Sequence, residues 1–332
     1  MGYRISRETA DEIFVRLKQE YDIFAPRVFE GEGCFSDTDV IRYGKIDRLD
    51  EIEWKRRSDY SFKEALLPVN ETLFYFTENE TTVPSVTEKK RLIFLRSCDL
   101  HAVKRMDAIY LHNGPEDFYY KRLREKAVFV LMGCSETCDT GFCASMGTNR
   151  TEEYDLYLKM EEGNVWADCR SEEIAHIFEE TGAKEQEVCP EFVTENKETV
   201  TLPKNLSTEN FSNPLWEEHG RRCIGCGRCN FVCPTCTCFT MQDVLYRDNE
   251  NVGERRRVWA SCQVDGFTDI AGGNSFRKSQ GERLRFKVMH KIYDFEKRFG
   301  YPMCVGCGRC DSVCPEYISY ADLVNQLAKE EA

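Results

Sequence analysis

"CIGCGRCNFVCP" (residues 223–234) and "CVGCGRCDSVCP" (residues 304–315) are near copies of one another. Each reads C-x2-C-x2-C-x3-C-P, with Cys223, Cys226, Cys229, Cys233 and Pro234 in the first run and Cys304, Cys307, Cys310, Cys314 and Pro315 in the second. Two-residue gaps let a short loop wrap three thiolates around one centre, and the fourth cysteine, followed by proline, points away from it. Gly225, Gly227, Gly306 and Gly308 fit the tight turns such a loop needs and leave backbone amides free to approach sulfur.

This is the spacing of bacterial ferredoxins with two [4Fe-4S] clusters, in which the trailing cysteine of each run ligates the other cluster. The expected ligand sets are therefore crossed: Cys223, Cys226, Cys229 and Cys314 for one cluster, and Cys304, Cys307, Cys310 and Cys233 for the other. Structural zinc sites use cysteine pairs and have no use for a third thiol at the same spacing or for the trailing Cys-Pro.

The chain has 18 cysteines among 332 residues and no secretory leader pattern at "MGYRISRETADEIF", so the thiols read as metal ligands in a reducing compartment rather than as a disulfide framework. A cytoplasmic location is expected, and no apolar run approaches the roughly 20 residues of a membrane span. With 41% hydrophobic and 31% charged residues the composition is that of a globular protein. A net charge of −13 disfavours nucleic acid as a partner, because phosphate contacts call for a basic face.

Residues 8–20, "ETADEIFVRLKQE", space Ile13, Phe14 and Leu17 as one helical face. Short β-rich runs follow at 72–76, 91–98, 127–134, 154–160 and 164–169, with helical patterns at 99–111 and 171–180. A polar stretch at 194–214 has the composition of a connection between domains. The expected fold class is α+β: an N-terminal mixed α/β domain over 1–205, then a mainly helical, ferredoxin-like dicluster [4Fe-4S] domain over 206–332. A long insert, 234–303, separates the two cysteine motifs and holds a helical pattern at 281–300 with Leu284, Val288, Ile292 and Phe295 on one face.

Three further thiols, Cys236, Cys238 and Cys262, lie close to the first run. They are candidate ligands of a third [4Fe-4S] cluster, with a fourth ligand from Cys98, Cys134, Cys138 or Cys143; the alternative is that they are buried packing thiols. Cys169 and Cys189 have no partner spacing. The five histidines form no H-x-x-x-H pair. Residues 253–287 hold eight Lys or Arg against four Asp or Glu, a local cationic excess suited to reduced clusters or to a docking partner. No P-loop, dinucleotide fingerprint, nucleophile elbow or H-E-x-x-H is present, so no catalytic side chain is expected.

"RVFEGEGCFSDTDVIRYG", "PVNETLFYF", "RSCDLHAVKRMDAIYL", "CASMGTNRT", "GERRRVWASC" and "GERLRFKVMHK", together with both cysteine runs, resemble the iron-sulfur subunit of anaerobic sulfite reductases, a family shared with β subunits of soluble sulfhydrogenases. The resemblance implies an iron-sulfur component of an oxidoreductase complex. It would relay electrons from an NADH-oxidising flavoprotein subunit to a sirohaem subunit that reduces sulfite to sulfide. The same resemblance leaves open the β subunit of a sulfhydrogenase or nickel-iron hydrogenase, and a cluster-based redox sensor is the alternative from another class. Gly141 stands where the family often has cysteine, which weakens any ligand assignment there and leaves Cys138 or Cys143 as substitutes.

Overall fold

The computed structural model describes residues 1–35, 37–161, 163–246 and 249–330, so the last two residues of the expected C-terminal domain lie outside the described residues. The first helix, Arg7–Glu20, starts where Ser6 accepts the Thr9 N–H at 3.2 Å, and it buries Ile13, Phe14 and Leu17. It packs on an eight-stranded sheet in the order Lys184–Glu185, Gly2–Ser6, Asn164–Cys169, Leu156–Glu161, Ala127–Met132, Lys90–Leu95, Tyr21–Phe29, Val40–Lys45.

The strands Tyr21–Phe29, Lys90–Leu95, Ala127–Met132 and Leu156–Glu161 are mutually parallel, and the flanking strands run antiparallel. "RLIFL" and "AVFVLM" are unbroken apolar runs because their strands are covered on both faces. Leu92, Phe94, Val130 and Met132 face the helices Arg7–Glu20 and Glu172–Glu180. Ile93, Leu95, Phe129 and Leu131 face the helices Ser97–Leu111 and Phe118–Arg124. Each such side chain, fully buried, contributes roughly 1.5–3 kcal/mol. The segments that leave the C-terminal ends of two neighbouring parallel strands, 96–99 and 133–150, carry Cys98, Cys134, Cys138 and Cys143 to the edge where α/β sheets open their crevices.

The part beyond residue 205 departs from a mainly helical domain. Its insert forms a long antiparallel hairpin, Phe239–Tyr246 with Asn249–Trp259, and this hairpin adds to Asn70–Phe76 and Thr81–Thr82 in a four-stranded sheet. The sheet therefore joins chain from both sides of the polar connection. Three of the eight cations read as a patch, Arg255, Arg256 and Arg257, lie on this hairpin and alternate in role. Arg255 is exposed against cross-strand Asp243 at 2.7 Å, whereas Arg257 is buried between Glu71 at 2.8 Å and Asp117 at 2.7 Å. Strand periodicity, not a basic surface, is what "ERRRVW" encodes.

Apart from a short antiparallel pair, Asp269–Ile270 with Asn274–Ser275, the remaining elements of that part are helical. Helix Gln280–Met289 runs through a π turn, His290–Asp294, into Phe295–Phe299, and Leu284, Val288, Ile292 and Phe295 are all buried as their spacing predicts. Together with Leu215, Trp216, Leu323, Val324 and Leu327 from flanking helices, most of this face forms the core on which both cysteine runs rest. Among the described residues no helix is long and apolar enough to cross a membrane.

Candidate iron-sulfur centres

The two cysteine runs fold alike. Each begins with a loop whose two glycines have positive φ, 67° and 74° at Gly225 and Gly227, 62° and 70° at Gly306 and Gly308, and each then enters one short helical turn, Arg228–Phe231 or Arg309–Ser312. At Gly308 the need for glycine is also steric: a Cβ would stand 1.9 Å from the Thr140 carbonyl oxygen. The Gly306 N–H points at Cys304 Sγ at 3.5 Å, and the Ile318 N–H at Cys314 Sγ at 3.3 Å, so backbone dipoles converge on the sulfurs.

Folding brings the thiols together across the two runs. Cys223, Cys226, Cys229 and Cys314 line one cavity, and Cys304, Cys307, Cys310 and Cys233 line another, with Cys310 on the border of both. Each run thus sends its last cysteine to the other run's cavity. Among the described residues no three His, Cys, Asp or Glu side chains converge closely enough to hold a single metal ion. Thiols arranged around a cavity, with no such focus, fit a cube better than a zinc ion.

A second fit comes from Tyr320, which lines both cavities and is 3% exposed; its hydroxyl finds no hydrogen-bond partner among the described residues. A buried orphan O–H costs about 1–3 kcal/mol, and cluster sulfur would accept its hydrogen bond. Burial pushes the Cys304 thiol up to about 12 and raises Cys307, Cys310 and Cys223. Such thiols stay protonated until a metal takes their proton's place, so assembly and cavity filling are coupled. Cys233 is the exception: a hydrogen bond from Cys236 outweighs burial and, aided by Lys291, Thr235 and Lys63, holds it well below the usual thiol range.

Sequence reasoning counted Lys287 within a cationic segment suited to reduced clusters, but singled out neither it nor Lys291 as the groups that balance this charge. Lys287 and Lys291 lie one turn apart on the helix that separates the cavities, 5% and 3% exposed. Burial opposes their charge, but Cys229, Cys310 and Cys236 raise the Lys287 ammonium well above its usual range, and Cys233, Cys236 and Cys304 do the same for Lys291. Lys63, under the Trp259 ring at 4.4 Å, donates to the Cys236 carbonyl at 2.7 Å. Their spacing was legible in "RFKVMHKIY", but lysines on a helix ordinarily signal a solvated face.

Residues from the N-terminal part of the chain cradle the second run. Arg309, 1% exposed, makes a bidentate pair with the fully buried Asp99 at 2.7 and 2.9 Å, and also donates to the Ser58 carbonyl and hydroxyl at 3.0 Å each. Phe142 N–H donates to the Gly306 carbonyl at 2.7 Å, Thr148 Oγ1 to the Val305 carbonyl at 2.7 Å, and Arg57 to the Cys307 carbonyl. The first run lies nearer solvent: Cys226 is exposed and Ile224 is 62% exposed, and Tyr317, just beyond Cys314, is 86% exposed.

The remaining candidate thiols fall into two groups. Cys238 and Cys262 hydrogen-bond to each other; that bond outweighs burial and, with amide donors from Asn230 at 3.0 Å and Gln263 at 3.7 Å, holds Cys262 down at about 6. Cys236 turns instead to Cys233. Cys134, Cys138 and Cys143 act on one another beside Arg96, whose guanidinium reaches Cys134 Sγ at 3.4 Å, and Cys98 lies toward Cys143 and Cys307. The strongest interactions of each group stay within it or with the two cavities. Cys169 is buried at the end of the inner strand Asn164–Cys169, and Cys189 is exposed.

Residues 222–318 match the 4Fe-4S dicluster domain family. Over 343 aligned residues, 98% of this chain and 97% of the relative, the sequence is 29% identical to sulfhydrogenase 2 subunit beta of Pyrococcus furiosus. No solved structure matches the chain. The matched segment contains all eight cysteines of the two crossed sets, and the likeness to the relative extends across the sheet domain as well.

Proposed function

We propose that this chain is an iron-sulfur electron-transfer component of a multi-subunit oxidoreductase, with [4Fe-4S] clusters held by Cys223, Cys226, Cys229 and Cys314 and by Cys304, Cys307, Cys310 and Cys233. The observation that carries the reading is the pair of adjoining cavities, one lined by five thiols and the other by four, each drawing on both runs and sharing Cys310. Bound there, each cluster supplies reversible one-electron chemistry. The protein's own part is to hold the pair close, exclude water, aim N–H and O–H dipoles at sulfur, and place ammonium charges beside it. No side chain need act as acid, base or nucleophile. The first site, with its exposed loop at Ile224 and Tyr317, is the one placed to exchange electrons with a partner; the second, beneath the sheet domain, is the inner station. On this reading the chain divides into a sheet domain over 1–205 and a cluster domain over 206–332 that holds both sites.

The motif resemblance to the iron-sulfur subunit of anaerobic sulfite reductases supports a flavoprotein that oxidises NADH as donor and a sirohaem subunit reducing sulfite as acceptor. Full-length likeness to sulfhydrogenase 2 subunit beta supports a second reading, in which the same relay serves a hydrogenase. Purification of the tagged chain with its native partners separates the two. Sirohaem absorption with sulfite-dependent NADH oxidation supports the first, and nickel with hydrogen-dependent dye reduction supports the second. A chain that isolates without iron overturns both. A third centre built on Cys236, Cys238 and Cys262 would require a fourth donor from Cys98, Cys134, Cys138 or Cys143.

A further inference from the structure

Lys287 and Lys291 make no ion pair with a carboxylate among the described residues, although each is almost fully buried. An ammonium in that position is costly unless an anion compensates it, and the anions around these two belong to the thiol cavities. Their placement differs. Lys287 lines both cavities, lies beside Cys229 of one set and Cys310 of the other, and stands 5.8 Å from the Tyr320 ring centroid. Lys291 lines only the second cavity, where its Nζ donates to Thr235 Oγ1 at 2.8 Å beside Cys233 and Cys304.

We propose that these two lysines are the charges that set the reduction potentials of the relay, Lys287 favouring the reduced state of both centres and Lys291 that of the second alone. The inference rests on the relay reading above. Each reduction adds one electron, and hence one negative charge, to a centre without making or breaking a bond, with the donor protein of the complex as reductant. A fixed positive charge in a water-poor site favours that step, and its effect falls with distance. A lysine that serves both centres and one that serves a single centre thereby separate the two potentials and give the pair a direction. Neither residue touches a substrate, so they are positioning charges rather than catalytic residues.

The test is potentiometric EPR on the full chain purified anaerobically with its centres, with iron and labile sulfide counted on every sample. Lys291→Met is expected to disfavour reduction at least about tenfold at one couple, about 59 mV for one electron, and to leave the other within about threefold. Lys287→Met is expected to move both couples at least about tenfold. Lys291→Arg, which keeps the charge, is expected to stay within about threefold of the parent at both. Should a Met variant lose iron, the Gln variant at the same position makes the same comparison. Lys291→Met that leaves both couples unmoved or moves both equally, or Lys291→Arg that shifts as far as Lys291→Met, overturns the proposal while the relay stands. A parent chain with no reducible couple would instead overturn the relay reading itself.

Discussion

Replacing Asp99 by alanine strands a guanidinium in the interior. Arg309 and Asp99 are 1% and 0% exposed and share two hydrogen bonds of 2.7 and 2.9 Å. Arginine cannot shed its proton, so the charge stays when its partner goes. Breaking a buried pair in this way costs about 3–5 kcal/mol. The Ser58 carbonyl and hydroxyl, each at 3.0 Å, still satisfy two donors, which places the expected loss near the lower end, about 3 kcal/mol. That is a large share of a domain stability of roughly 5–15 kcal/mol, and it falls on the contact that seats the second cysteine run against the sheet domain. Guanidinium unfolding of anaerobic samples matched in iron content, carried around a double-mutant cycle with Arg309→Met, measures it. The double replacement Asp99→Ala/Arg309→Met is expected to recover a large part of the loss, because it leaves no unpaired buried charge. A loss below about 1 kcal/mol for Asp99→Ala, or strictly additive single changes, would refute the reasoning.

Other expectations follow from the same geometry. Cys314→Ser should remove about four irons and spare the couple of the second site, and Cys233→Ser should do the reverse; loss confined to each cysteine's own run, read by EPR, would contradict crossed ligation. Gly308→Ala, with its Cβ 1.9 Å from the Thr140 carbonyl, should lose the second site's iron, whereas Gly225→Ala meets only the flexible Gln280 side chain and should cost little beyond the roughly 1–2 kcal/mol of left-handed strain. Burial, with Lys291 and Arg277 near by, holds the His290 imidazole down at about 4 against its usual 6.5. The folded state thus resists a proton that the unfolded state accepts. This contribution to stability is intact above pH ~6.5 and declines toward pH 4 by an amount of order 3 kcal/mol. In His290→Phe, titration of unfolding free energy should show a shallower slope over that window, and an unchanged slope would remove His290 as its source.

The thiol chemistry was legible because cysteine spacing is local: three ligands and two turn glycines fall within twelve residues. The parallel core was legible too, since "RLIFL" and "AVFVLM" carry their burial in plain composition. What surrounds the centres was not. The Arg309–Asp99 pair joins residues 210 positions apart, and nothing distinguishes Arg309 from its counterpart Arg228, which is exposed. The insert hairpin was hidden because three consecutive arginines read as surface charge, when alternate members pair across a strand and into a buried cluster. The burial of Lys287 and Lys291 was hidden for the opposite reason: their helix was recognised, and Lys287 was counted in a cationic segment, but the anionic surroundings that make buried lysines tolerable exist only once the two runs meet.

Iron and acid-labile sulfide per chain, with EPR of the dithionite-reduced protein purified without oxygen, test most directly whether this is a two-centre relay. Crossed four-thiol sites in contact predict at least about eight irons and the interacting spectrum of neighbouring [4Fe-4S] centres. Zinc in place of iron, or iron that gives no signal on reduction, would contradict it.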